Sequence, residues 1–261
     1  MRLLFIGDVF GKPGRRALLE ELPGLRAGEG PFDFVVINCE NAAAGFGMTE
    51  RLMGELFAVG VDVMTSGNHI WDKKEFVPLL AGEPRVLRPL NYPPGTPGRG
   101  FGVFEKNGLK LGVINIQGRA FMPPIDCPFR AADDTLPRLG VLGTLAVLVD
   151  FHAEATAEKI ALARYLDGRV SALVGTHTHV QTADNAVLPG GTAFITDAGM
   201  TGCHSGVIGM SYDSVLPKFL TGVPCKFEVE ESVPRVQGVV IDIDDETGRA
   251  LDIRRIDLGA D

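Results

Sequence analysis

The chain has 261 residues, of which 45% are hydrophobic, 22% charged and 7% aromatic, a composition that excludes a disordered or low-complexity protein. Its longest apolar runs, such as residues 145–149, are about five residues where a bilayer span needs about 20, so no transmembrane segment is expected. A net charge of −8 with no basic run argues against sequence-independent binding to duplex DNA, which depends on neutralising phosphates.

Short β-rich runs alternate with helical stretches. Strands are predicted over 2–7, 33–39 and 62–66, and helices over 15–25, with Pro13 near the start, and over 49–59, with Thr49 as N-cap. Such strand, loop, helix units imply parallel pairing with buried faces. Residues 81–108 are rich in Pro and Gly and read as a long ordered surface loop. Strands over 101–105 and 110–116, joined across Asn107-Gly108, predict an antiparallel hairpin, because Asn-Gly accepts the positive φ angles of a tight turn. Further strands are predicted over 145–151, 170–175 and 192–196, with a helix over 153–166. The C-terminal portion reads as strands over 225–229, 238–243 and 250–256, with a turn at 244–248. The sum is one α/β domain over 1–261 with two mixed sheets and helices on the outer faces.

Residues 1–6 reach Gly7-Asp8 too soon for a secretory h-region, so a cytoplasmic protein is expected. Cys39, Cys127, Cys203 and Cys225 form no C-x-x-C pair and suggest neither a zinc ribbon nor a disulfide framework.

Chemistry is signalled by the residues that end the predicted strands. Asp8 ends the first, Glu40-Asn41 the second, Asn68-His69 the third, His152 the strand over 145–151, and His177 and His179 the strand over 170–175. Loops at strand C-termini in open α/β sheets converge on one crevice, where ligands bind. In the extended segment Thr176-His177-Thr178-His179 the two imidazoles, at i and i+2, point to one side. Imidazole nitrogens mixed with carboxylate and amide oxygens, and no thiolate, favour two hard or borderline metal ions. Two cations about 3.5–4 Å apart would lower the pKa of a bridging water to near 7 and bind phosphoryl oxygens.

Five ordered motifs carry a family resemblance. They are Gly7-Asp8-Val9-Phe10-Gly11-Lys12-Pro13-Gly14, the run from Asn38-Cys39-Glu40-Asn41 to Gly47, Gly67-Asn68-His69-Ile70-Trp71-Asp72, the run from Gly175-Thr176-His177-Thr178-His179 to Asp184, and Asp197-Ala198-Gly199-Met200-Thr201-Gly202. Gly67-Asn68-His69 resembles the signature of the calcineurin-like metallophosphoesterases, and the whole set resembles their bacterial YmdB branch. The resemblance implies a four-layer α/β/β/α sandwich around a binuclear centre, and a di-iron phosphodiesterase active on 2',3'-cyclic nucleotides. It assigns Asp8, Asn41 and His179 to one metal and Asn68, His152 and His177 to the other. Glu40 would bridge them, and His69 would be the acid that protonates the leaving oxygen. Iron is the expected metal, with manganese the alternative. The partners so implied are a small phosphodiester or cyclic nucleotide, with RNA ends as a further substrate; the prevalence of symmetric assemblies adds a homo-oligomer.

The chain departs from the wider superfamily in several places. Asp8-Val9-Phe10 replaces the usual D-x-H, the Glu40-Asn41 pair replaces the bridging Asp, and Ile70 stands where relatives carry an acid, which Asp72 could supply. Cys203-His204-Ser205-Gly206 also differs from the stretch expected there. Substrate discrimination is expected in loops 81–100 and 118–135. Phe46, Met48, Met122 and Met200 lie in motif loops, where they either contact a base or pack. A P-loop is rejected because Gly7 to Gly11 has three intervening residues and Pro13 follows Lys12. Three other readings stay open: a phosphomonoesterase or RNA-end phosphoesterase on the same site, a thiol hydrolase built on Cys39, and a metal-stabilised regulator that binds a nucleotide or RNA end without turnover.

Overall fold

The computed structural model describes residues 1–259. The first half of the chain builds β1 (Arg2–Ile6), β2 (Asp8–Val9), α1 (Gly11–Gly28), β3 (Phe34–Asn38), α2 (Glu50–Ala58), β4 (Val63–Thr65), α3 (Val77–Gly82), β5 (Phe101–Lys106) and β6 (Leu109–Gln117). There follow α4 (Pro128–Val141), β7 (Ala146–His152), α5 (Thr156–Leu166), β8 (Ala172–Thr176), β9 (Ala186–Val187), β10 (Ala193–Ile195), β11 (Met200–Cys203) and α6 (Tyr212–Thr221). The long strands β12 (Pro234–Ile243) and β13 (Ala250–Leu258) complete the fold.

One sheet runs β2-β11-β12-β1-β3-β4, with β13 also paired to β12; the other runs β5-β6-β7-β8-β10-β9. Both are mixed. Parallel pairing joins β1 to β3 and β3 to β4 in the first, and β6 to β7 and β7 to β8 in the second, whereas β1 with β12 and β5 with β6 are antiparallel.

The period-2 alternation of each strand divides its apolar residues between two faces. Leu3 and Phe5 of β1, Val36 of β3, Val113 of β6, Leu148 of β7 and Val174 of β8 fill the space between the sheets. The opposite face of the first sheet, through Leu4, Ile6, Val35 and Ile37, packs on Leu18 and Leu22 of α1 and Leu52 and Leu56 of α2. That of the second, through Ile114, Val149 and Leu173, packs on Leu139 of α4 and Leu162 and Leu166 of α5. The layering is therefore α/β/β/α. Each of these side chains contributes about 1.5–3 kcal/mol when fully buried, so three apolar layers hold the strand ends that carry the polar residues.

Local signals behave as the residues dictate. Thr49 caps α2 by accepting from Leu52 N at 3.5 Å. Asn107 and Gly108 adopt φ of 53° and 79° between the paired residues Lys106 and Leu109, the geometry of a two-residue hairpin turn.

Several expectations are corrected. The segment 225–229 is not a strand; Val229 makes one isolated bridge to Met210, and Phe227 and Val229 pack on Phe10, Met200, Met210 and Val215. Helices α4 and α6 were not expected, because Pro128, Pro137 and Pro217 lie within them and interrupt the helical signal. The loop assigned from residue 81 starts inside α3, and short β2 and β11, which pair in parallel, were not foreseen. Among the described residues no helix is long and apolar enough to cross a membrane.

Candidate metal centre

The C-terminal ends of β1, β3 and β4 in one sheet meet those of β7 and β8 in the other. Glu40 follows β3, and its carboxylate lies 3.0 Å (Oε1) from Nε2 of His152, the last residue of β7. The inward nitrogen of His152 is also 3.0 Å from His177 Nδ1. Ligand atoms of Glu40, His152 and His177 all fall within 4.8 Å of one another. Asn41 donates to Glu40 Oε1 at 3.2 Å and lies 3.2 Å from His179 Nε2. Asp8 accepts the His177 backbone amide on Oδ2 at 3.0 Å, and His69 N donates to Glu40 Oε2 at 2.9 Å. Asn68 opens the 3₁₀ turn Asn68–Trp71 that also carries His69. Seven of the eight residues singled out from the sequence are thus linked around one cleft, and Asn68 adjoins them in the chain.

Each of three imidazoles uses one nitrogen outside the cleft and turns the other inward. His152 donates through Nδ1 to Thr176 Oγ1 at 2.9 Å, and Thr176 in turn donates to Asp150 Oδ1 at 2.7 Å. His179 donates through Nδ1 to the Ile208 carbonyl at 3.0 Å. His177 presents Nε2 to Glu154 Oε2 at 3.3 Å. An outer acceptor of this kind fixes the tautomer and leaves the inner nitrogen free to ligate.

Two buried oxygens of the cleft, Asp8 Oδ1 and Asn68 Oδ1, have no partner among the described residues. An unsatisfied buried acceptor costs about 1–3 kcal/mol, and more if charged, so both fit a cation in the cleft. The backbone leaves room for nothing else at Gly67, where a Cβ would lie 2.2 Å from His152 Nε2 and 2.5 Å from Glu40 Oε2. Mixed imidazole, carboxylate and amide donors suit iron, manganese or zinc.

The charges respond to one another. Burial would raise the Glu40 carboxyl, but His152 brings it down to about 2. Burial would depress His152, yet Glu40 raises it to about 9. Burial and then the His152 charge depress His177 to about 3, while burial raises Asp8. Asp150, dehydrated in the core behind His152, is pushed up to about 6.

Beyond the inner residues, His69 Nδ1 meets Asp72 Oδ2 at 2.8 Å, so Asp72 supplies the carboxylate absent at Ile70. The Phe46 ring packs edge-on against His69 at 5.0 Å. His204 turns away from the cleft to hydrogen-bond the Met200 carbonyl. Cys39 is fully buried in the helix-facing core, where burial pushes its thiol up, an environment opposed to a reactive thiolate.

Sequence reasoning missed the framework under the His177-Thr178-His179 turn. Lys159 of α5 is fully buried and donates to Asp197 Oδ2 and to the Thr176 carbonyl, both at 2.8 Å. Asp197 also accepts from Thr178 N, Thr178 Oγ1 and Gly199 N. Asp197 stood in a quoted motif, whereas a lysine on a helix carries no sign of burial. Thr176, Asp150 and Glu154 were likewise not singled out for their contacts to the histidines.

Residues 4–256 match the YmdB-like protein family. The chain belongs to that family. A 2',3'-cyclic-nucleotide 2'-phosphodiesterase of Bacillus subtilis (strain 168) is 50% identical over 261 residues, covering 100% of this chain and 98% of the relative. A solved protein from Thermus thermophilus has a TM-score of 0.92 at 46% identity, covering 99% of both chains. A phosphatase from Mycoplasma pneumoniae has a TM-score of 0.93 at 32% identity, covering 99% of this chain and 93% of its own. A 5'-nucleotidase precursor of Thermus thermophilus shares the fold alone, with a TM-score of 0.60 at 15% identity over 99% of this chain and 54% of its own. The architecture of this YmdB-like chain is thus of the metallophosphoesterase type.

Proposed function

We propose that the protein is a metal-dependent phosphodiesterase that hydrolyses 2',3'-cyclic nucleotides at the 2' bond. The observation that carries the reading is the inward aim of His152, His177 and His179 beside the unpartnered oxygens of Asp8 and Asn68, joined to the activity named for the Bacillus relative. Asp8, Asn41 and His179 would hold one ion, and Asn68, His152 and His177 the other, with Glu40 between them. Iron is the proposed metal and manganese the alternative. When bound, the pair would supply positive charge opposite the phosphoryl oxygens and acidify a water between the ions.

The residues of the chain do the rest. Water adds to phosphorus, the bond to the ribose 2' oxygen breaks, and that oxygen takes up a proton, giving a nucleoside 3'-phosphate. An alkoxide is a poor leaving group, so a positioned acid contributes about 10²–10⁴ in rate. His69 is the proton donor. Asp72 holds its Nδ1 and the Glu40 carboxylate accepts from its backbone amide, so that Nε2 is the nitrogen offered to substrate.

The test is hydrolysis of 2',3'-cyclic AMP by protein stripped with chelator and restored with Fe(II) or Mn(II) under reducing conditions. Metal-dependent formation of the 3'-monophosphate is expected. Absence of turnover with two ions demonstrably bound would overturn the reading and leave another phosphoester or binding without turnover.

A further inference from the structure

The cleft that holds these residues opens into a cavity of about 230 Å³. Its floor is Glu40, Asn41, His69, His177 and His179. Its outer wall is apolar: Phe46 beside His69, and Ile208, Phe219 and Phe227 from the segment before β12. Among the described residues Lys218 is the one charged side chain lining that wall, and its Nζ lies 5.0 Å from the centre of the Phe227 ring. Loops 81–100 and 118–135, where discrimination was expected from the sequence, instead line a separate cavity around Arg88, Tyr92 and Arg130.

Ile208 is in an unusual state. Val207 and Met210 exchange backbone hydrogen bonds of 2.7 and 3.0 Å, closing a two-residue turn in which Ile208 and Gly209 have φ of 46° and 96°. Such turns call for Asn-Gly or Gly-Gly, and a β-branched residue with positive φ is strained. Burial does not offset that strain, since Ile208 is 54% exposed. Its carbonyl orients His179, but any residue would supply a carbonyl. The isoleucine side chain therefore needs another reason to be there, and it faces the cavity. Phe219 is likewise left 76% exposed on α6, next to a site where a phosphoester would be held.

Resting on the phosphodiesterase reading, we propose that Ile208, Phe46 and Phe219 form the seat of the nucleobase, which the protein recognises by apolar packing and stacking rather than by hydrogen bonds to the base edge. A wall whose one charged side chain, Lys218, lies against the Phe227 ring and whose other side chains are apolar tolerates adenine and guanine alike, while the larger π face of a purine is favoured over a pyrimidine.

The test compares kcat/KM for 2',3'-cyclic AMP, 2',3'-cyclic CMP and the base-free 1-O-methylribose 2',3'-cyclic phosphate in the native enzyme and in Ile208→Asn and Phe219→Ala. The native enzyme should prefer cyclic AMP to the base-free ester by on the order of ten-fold or more, as stacking contacts do, and to cyclic CMP by a smaller factor. Each variant should reduce the preference over the base-free ester several-fold. Because asparagine suits the turn, Ile208→Asn should keep or raise the thermal midpoint, which a merely structural isoleucine would not do. Equal kcat/KM for base-bearing and base-free esters, or a preference unmoved in both variants, would overturn the base seat alone. No turnover of any of the three by metal-loaded native enzyme would overturn the phosphodiesterase reading and the base seat with it.

Discussion

Lys159→Met removes one half of an ion pair that is 0% exposed on both sides. Methionine replaces the stem of the lysine with similar volume, so the packing of α5 against β8 is kept and the perturbation is electrostatic. Removing one partner of a buried pair costs about 3–5 kcal/mol, because the other charge is left uncompensated. Asp197 keeps donors from Thr178 N, Thr178 Oγ1 and Gly199 N, which places the expected loss at the lower end, about 3 kcal/mol. The Thr176 carbonyl also loses a donor. Urea unfolding of the chelated protein measures this directly. With a slope of about 3 kcal/mol per molar for a domain of this size, the midpoint should fall by about 1 M. The double variant Lys159→Met/Asp197→Asn removes the stranded charge and should recover at least half of the loss. A loss under about 1 kcal/mol, or a double variant less stable than the single, would refute the assignment of a buried, mutually dependent pair.

Gly67→Ala places a Cβ against His152 and Glu40, so bound metal and turnover should fall together; full metal content in a folded variant would contradict that crowding. Asp72→Asn should lower turnover of 2',3'-cyclic AMP about ten-fold, a fraction of the general-acid effect, and affect an activated aryl phosphodiester less. Equal losses on both substrates would remove Asp72 and His69 from proton donation. Cys39→Ser, at a fully buried site in the helix-facing core, should destabilise the protein by about 1–3 kcal/mol, as burying an incompletely paired hydroxyl does. The folded variant should stay active, and a folded, metal-loaded but inactive protein would revive a thiol mechanism.

The strands were legible because their signal is local. Continuous apolar runs in 33–39 and 145–151 mark β3 and β7, and Asn107-Gly108 marks the β5–β6 hairpin, each within two residues of its observed limits. The cleft residues were legible for the same reason: Asp8, Glu40, Asn41, Asn68, His152, His177 and His179 sit at or just beyond strand ends, where loop convergence follows from parallel topology. What escaped depends on contacts distant in sequence. Lys159 reads as a solvated helix residue until α5 docks against Asp197. Asp150 reads as one polar residue in an apolar strand, although Thr65 and Asn38 donate to it from the other sheet and Thr176 from the neighbouring strand. Helix α6 was missed because Pro217 interrupts its helical signal, and the segment 225–229 was misread because apolar residues that pack on Phe10 and Met210 carry no period that separates them from a strand.

The central claim is a two-metal centre with Glu40 shared between the ions. Elemental analysis of metal bound per folded chain, in the native protein and in Glu40→Ala, tests it most directly. Two ions per chain are expected in the native protein, and both should be lost together in the variant. A single ion in the native protein, or full occupancy retained without Glu40, would contradict it.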